Sequence, residues 1–238
     1  MLIKVTDGTD YLKIISSLKA KCIQIKNASQ RLEESHFFYI RHDVDSSLDK
    51  ALKMARFEYE HNIRSTYFLL HTAQYFDYTK SFIAKCKEFA SLGHDIGFHN
   101  NAVTVWWKEK KPIKEIVSKP IDFLRDCGLK IVGTSSHGDP LCYKKHYINY
   151  EMWKEVNEVK ITRYKNPKVP QISLADVGLK YEAYFLKYKV YLSDSHGDWG
   201  GSIAGTKIKS ISNAIELFNK MNKGALQILL HPIYWEVK

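Results

Sequence analysis

The residues best suited to chemistry lie in five short runs: RHDVD at 41–45, GHDIGFHN at 93–100, SSHGDP at 135–140, SDSHGDW at 193–199 and ILLHP at 228–232. In an extended strand alternate side chains point the same way, so Asp43 and Asp45 share one face and His42 and Val44 the other. Neighbouring carboxylates repel unless a cation or a shared proton separates their roles, and a metal ligand beside a general base is the usual arrangement. The same residues also suit a helix start with a capping Asp. His94 and His99, five residues apart, fall on opposite faces of a strand and cannot act as an i, i+4 pair; His99, at the strand end, is the better ligand candidate.

The tetrapeptide S-H-G-D occurs twice, each time directly after an apolar run. Its glycine permits a tight turn or close ligand approach, and His137 offers a neutral imidazole nitrogen to a metal. Asp194 can orient a histidine, while Trp199 is either a flat wall for a sugar ring or a core residue. His231, between a buried apolar strand and Pro232, is placed to donate a proton.

These runs need elements to hold them. Leu48, Ala51, Leu52, Ala55 and Tyr59 follow the helical period behind Ser46 or Ser47 as N-cap, giving a helix that ends near Asn62. The period recurs at Phe82, Cys86, Phe89 and Ala90, ending at Gly93, and at Ile211, Ala214, Ile215 and Phe218, ending near Gly224. A fourth helix over 113–124, ending at Gly128, contains Pro120, which is expected to kink or divide it. Between them HFFYIRHDV, STYFLL, HDIGFH, KIVGTSSH, KVYLSDS and ALQILLHP read as strands. Strand and helix in alternation favour a parallel sheet, as an α/β barrel or a doubly wound sheet. The barrel is preferred because five of the strands finish in Asp, His or Ser, and parallel strands present their C-terminal ends on one face.

The chain has 238 residues, 36 Lys plus Arg against 26 Asp plus Glu, a net charge of +10, and 45% hydrophobic residues, enough for one domain with a sizeable core. The first residues, MLIKVTDGTDYLKIISSLKAK, hold no uninterrupted apolar stretch of roughly 7 to 15 residues, so no secretory signal is expected. No run approaches the ~20 apolar residues of a membrane span. A cytoplasmic location follows as the expectation. Cys22, Cys86, Cys127 and Cys142 lack C-x-x-C spacing and read as reduced thiols. The lysines are spread over every segment and match no compact nucleic-acid motif, so the charge reads as a solvated surface or as attraction to an anionic substrate or membrane.

In order and approximate spacing, HDVD, GHDIGFH, SSHGDP, SDSHGDW and LLHP resemble the polysaccharide deacetylase family, the fourth family of carbohydrate esterases, over about residues 36–235. The one-residue insertion in HDVD resembles a divergent branch. The resemblance implies a distorted, TIM-like (β/α) barrel, usually of seven strands. It also implies a divalent metal, commonly Zn2+ with Co2+ or Ni2+ possible, held by one Asp and two His, and removal of an acetyl group from a sugar.

Carried over residue by residue, Asp43 is the general base, Asp45 a metal ligand and His99 the first metal histidine. The second normally lies four residues later, where this chain has Val103, which cannot ligate. His137 is the replacement the divergent branch suggests, with His196, Asn100 and His94 as alternatives. The arginine that steadies the base is missing from SSHGDP, leaving Arg41 or Arg163. Asp194 and Trp199 match the fourth motif and Leu229 and His231 the fifth, so that His231 is the general acid held by Asp194. Trp199, His196 and Arg41 are the substrate-binding candidates, and Trp106 with Trp107 either line a sugar cleft or pack. The expected substrate is an acetylated sugar or glycan precursor, with phosphates that would suit the +10 charge. The alternatives are a catalytically silent glycan- or protein-binding barrel, or a metal-free hydrolase of a non-sugar C–N bond.

Overall fold

A computed structural model describes residues 6–27, 36–195, 199–203, 205–208 and 210–237. In chain order the elements are β1 (Thr6–Asp7), α1 (Gly8–Ser17), β2 (Lys21–Cys22), β3 (His36–Val44), α2 (Leu48–Glu60), β4 (Thr66–Leu70), α3 (Lys80–Ser91) and β5 (Asp95–Asn100). There follow α4 (Ala102–Glu109), α5 (Ile113–Asp126), β6 (Gly133–Ser136), α6 (Pro140–Lys145), β7 (Tyr181–Glu182) and β8 (Val190–Ser193). The chain ends with β9 (Gly200–Ile203), β10 (Thr206–Lys207), α7 (Ile211–Asn219), β11 (Gly224–Leu230) and β12 (Trp235–Glu236). All six sequence-expected strands are present, and the class is α/β. Two compact units are formed, one from residues 1–67, 88–95 and 187–238, the other from 68–87 and 96–186.

In the first unit the strand order is β10-β9-β8-β11-β3, with β2 also alongside β3. β8, β11 and β3 are parallel, and β9 and β10 form an antiparallel edge hairpin. Register sorts the side chains by chemistry. Phe38 lies opposite Leu226, Ile40 opposite Ile228, and Ile228 opposite Leu192. These join Met54, Phe57, Ala214 and Phe218 in the unit's apolar core, where each large side chain contributes about 1.5 to 3 kcal/mol. The alternate residues are polar: Tyr39 donates to Gln227 Oε1 at 2.9 Å, and Arg41 and Asp43 follow on the same face. That face ends at Asp43, one residue before the strand stops at Val44.

Helix α2 starts as expected, with Ser47 Oγ accepting from the Lys50 amide at 3.3 Å, so the Asp residues of HDVD are not its cap. Its buried stripe includes Glu58, a carboxylate among apolar neighbours. Glu58 accepts from His42 Nε2 at 2.8 Å, Ser65 Oγ at 2.6 Å, Tyr67 Oη at 2.8 Å and the Tyr11 hydroxyl. Its cost of burial is thereby met.

In the second unit β5, β6 and β7 are parallel neighbours. Gly97 of β5 is there for space: a Cβ would stand 2.3 Å from ring atoms of Phe68. Helix α5 runs through Pro120 as one element, so of the two expectations, a kink or a division, the division does not occur. Pro120 itself lies in the buried stripe with Ile116, Val117 and Ile121, whose packing outweighs the hydrogen bond the ring deletes. Between α6 and β7, and again after β7, lie short 3-10 turns held by carboxylates, of which Glu151 is buried. Glu151 accepts from the Tyr164 and Lys165 amides, Glu155 from the Ser173 hydroxyl and the Leu174 amide. Among the described residues no helix is long and apolar enough to cross a membrane.

Candidate active site

The first unit gathers an acid–base group at the ends of β3, β8 and β11. Asp194, directly after β8, accepts from His231 Nδ1 at 2.7 Å, from the His231 amide at 2.9 Å and from Trp235 Nε1 at 2.7 Å. A carboxylate can only accept, so Nδ1 carries hydrogen and Nε2 is turned outward. Nε2 lies 3.9 Å from Asp45 Oδ2. Burial alone would lower the His231 pKa, but the bond and charge of Asp194, then the charges of Asp43 and Asp45, hold it above the usual imidazole range.

Asp43 is buried at the end of β3, and Arg41 Nη2 lies 3.6 Å from its Oδ2. The guanidinium is itself fully buried, so Arg41 stands beside the carboxylate as a positive support. Arg163, the other candidate for that support, donates to the Val156 carbonyl at 3.2 Å and to Asn157 Oδ1 at 2.9 Å. Trp199 is half-buried, edge-on to Trp235 with ring centroids 5.7 Å apart, and packs on the apolar core. His196 lies outside the described residues.

The second unit gathers imidazoles at the ends of β5 and β6. His99 Nδ1 is 2.8 Å from the Ser135 carbonyl oxygen, which accepts only, so in the neutral ring the hydrogen sits on Nδ1 and the Nε2 lone pair points away. His137 Nδ1 lies 3.2 Å from that Nε2, with the two rings nearly perpendicular at 80°. This is the arrangement a metal-binding histidine needs: one nitrogen oriented by a carbonyl, the other presented. His137 is held in turn. Its amide donates to the Asn100 carbonyl at 2.8 Å and its carbonyl accepts from Asn149 Nδ2 at 2.8 Å. One residue upstream, Glu182 accepts from the Ser136 amide at 3.1 Å and hydroxyl at 3.0 Å.

The other positions weighed as ligands are engaged elsewhere. Val103 is fully buried on α4. His94 precedes β5 and donates from Nε2 to the Ala55 carbonyl at 2.9 Å, on the side of the Glu58 network. Asn100 donates from Nδ2 to the Asn149 carbonyl at 3.3 Å and accepts from the Ala102 amide at 2.8 Å. In SSHGDP the aspartate is a cap: Asp139 Oδ1 accepts from the Leu141 amide at 2.8 Å, with Pro140 opening α6.

Sequence reasoning passed over His71. It is buried, accepts from the Asn101 amide at 3.1 Å through Nε2, and lies near enough to His99 and His137 to feel their charge. Burial first, and those two rings second, push its pKa down to about 3. It stays neutral and steadies the turn after β5. The signal was available, since His71 follows the apolar run STYFLL as the other site residues follow theirs.

No family model matches this chain, and no curated protein matches it. Among solved structures, a CE4 esterase from Streptococcus mutans is 10% identical with a TM-score of 0.47, covering 89% of this chain and 80% of that one. The catalytic domain of a peptidoglycan N-acetylglucosamine deacetylase from Eubacterium rectale is 14% identical with a TM-score of 0.46, covering 83% and 77%. A family 4 carbohydrate esterase from Streptomyces lividans, solved with acetate, is 12% identical with a TM-score of 0.45, covering 83% and 79%. The solved structures to which this chain is similar thus include family 4 carbohydrate esterases.

Proposed function

We propose that this protein is a metal-dependent hydrolase that removes an acyl group, acetyl in the simplest case, from an amino sugar of a surface-glycan precursor or polysaccharide. The observation that carries the reading is the His99–His137 pair, two ring nitrogens 3.2 Å apart, the first with its tautomer set by the Ser135 carbonyl. Asp45, His99 and His137 offer one carboxylate oxygen and two imidazole nitrogens, a donor set that fits zinc and also cobalt or nickel. A divalent ion held by these three supplies Lewis acidity, polarising the acyl carbonyl and lowering the pKa of an attacking water.

The remaining steps belong to the chain. Asp43 takes the proton from the attacking water, with Arg41 Nη2 3.6 Å from its Oδ2 as the neighbouring positive charge. His231 gives a proton from Nε2 to the departing nitrogen, because Asp194 fixes the ring at Nδ1 and stabilises the imidazolium. The products are a carboxylate and a free amino sugar. A net charge of +10 suits a phosphate-bearing precursor met in the cytoplasm. One observation favours a second reading, a silent glycan-binding protein: buried Val103 stands where the resembled family has its second histidine.

The test is release of acetate from N-acetylated amino sugars by protein incubated with zinc, cobalt or nickel. The expected result is metal-dependent release, with Asp43→Asn and His231→Ala each lowering kcat/KM by roughly 100-fold or more. No release with any metal, or variants as active as the wild type, would overturn the reading.

A further inference from the structure

A cavity of about 380 Å³ opens within the second unit, with His137 in its wall. Five of the chain's fifteen tyrosines line it: Tyr143, Tyr147, Tyr150, Tyr164 and Tyr184, together with His137 itself. Two of the five most exposed large hydrophobic side chains among the described residues, Tyr143 at 70% and Tyr164 at 45%, flank this one cavity. Such clustering marks a binding site more than a scatter of surface aromatics would.

The walls are set before any ligand arrives. Tyr147 shares a hydrogen bond of 2.6 Å with Thr104 Oγ1, and the Tyr150 hydroxyl donates to the Thr162 carbonyl. Tyr150 and Tyr184 pack ring against ring with centroids 5.5 Å apart. Buried Glu151 pins the backbone of Tyr164, and Asn166 Nδ2 ties the same segment to the Lys145 carbonyl at 2.9 Å. Arg163 also lines the cavity, but its Nη1 donates to Val156 and Asn157 of its own loop. The inner phenols therefore present ring carbons, with hydroxyls already spent on the protein. A pyranose brings several hydroxyls that need partners, and burying them against ring carbons is costly. A hydrocarbon needs none.

Resting on the hydrolase reading, we propose that this tyrosine-walled cavity receives the substituent on the acyl carbonyl carbon, and that the preferred acyl group is a longer alkanoyl or an aroyl group, not acetyl. The carbonyl belongs at the metal ligands, of which His137 is a cavity wall. A methyl group would leave nearly all of the cavity to water.

The test compares glucosamine N-acylated with acetyl, butanoyl, hexanoyl and benzoyl groups as substrates of the metal-loaded protein. Calorimetric binding of acetate, hexanoate and benzoate is measured alongside. Each buried methylene is expected to raise kcat/KM and affinity roughly four-fold, so hexanoyl should exceed acetyl by well over ten-fold. Thr162→Trp, at the exposed rim, fills the cavity and should abolish the preference while leaving acetyl turnover unchanged; Tyr143→Ala should weaken it. Thermal melts establish that both variants fold. Hydrolysis that is indifferent to chain length, with Thr162→Trp unchanged, would overturn this inference and leave the hydrolase reading standing. If no sugar is hydrolysed, that reading fails, and carboxylate binding still decides for the cavity. Hexanoate bound more tightly than acetate, and lost in Thr162→Trp, supports it; no chain-length dependence overturns it.

Discussion

Replacing Asp194 by Asn removes one charge and almost no volume from the acid–base group. Asp194 is 3% exposed and meets three donors, His231 Nδ1 at 2.7 Å, the His231 amide at 2.9 Å and Trp235 Nε1 at 2.7 Å. The amide oxygen of Asn can keep the Trp235 bond, but its NH2 must then face a donor on His231. The charge-assisted bond to the ring is lost. Such bonds contribute about 1.5 to 3 kcal/mol, which at about 1.4 kcal/mol per decade is a loss of roughly 10- to 150-fold in kcat/KM. The pH profile separates this from a general loss of structure. His231 acts as an acid only while protonated, so activity falls as pH rises through its pKa. Burial lowers that pKa, and Asp194 leads the groups that outweigh burial. The alkaline limb should therefore move to lower pH in Asp194→Asn. Stability follows the same sign. In the wild type the His231 contribution is complete below the ordinary imidazole value of about 6.5 and is lost as pH rises through the raised value; the variant should show little of this loss. An unchanged alkaline limb, or kcat/KM within about three-fold of wild type, would refute the assignment of His231 and Asp194.

Other consequences concern the frame that holds the site. Glu58→Gln leaves His42, Ser65, Tyr67 and Tyr11 sharing a neutral acceptor in the core; the cost is about 3 to 5 kcal/mol, read as a fall in Tm of roughly 6 to 20 °C. Burial opposes ionisation of Glu58, but His42, His94 and Ser65 outweigh it and bring the pKa down to about 2. The wild-type advantage over Glu58→Gln should then be full above about pH 4.3 and shrink as pH falls towards 2, as urea midpoints across that range will show. Gly97→Ala drives a Cβ to 2.3 Å from the Phe68 ring, two residues before His99. It should cost about 1 to 3 kcal/mol and weaken metal binding, measured by chemical unfolding with and without zinc.

The parts of the molecule legible in the sequence are those set by local pattern. HFFYIRHDV and ALQILLHP are short apolar runs that end in polar residues as strands of a buried parallel sheet do, and alternation along β3 places Arg41 and Asp43 on the face opposite Phe38 and Ile40. Asp194 and His231 could be paired from the motif order, and the structure sets them 2.7 Å apart. Pro120 does not divide α5, because the helix is held by a buried stripe that a single missing hydrogen bond does not outweigh. The turns of 146–185 carry no period; their conformation comes from Glu151, Glu155 and Glu182 accepting from backbone amides well away in sequence. Glu58 reads as one more polar position on α2, because its partners Tyr11, His42, Ser65 and Tyr67 come together only in the folded core.

The central claim is that one divalent ion is held by Asp45, His99 and His137, and metal content tests it most directly. Tag-free protein, as purified and after incubation with zinc, cobalt or nickel, should carry about one ion per chain by mass spectrometry. Asp45→Ala, His99→Ala and His137→Ala should each lose it. Wild-type protein without metal after incubation would contradict the account, as would a His137→Ala variant that binds as well as the wild type.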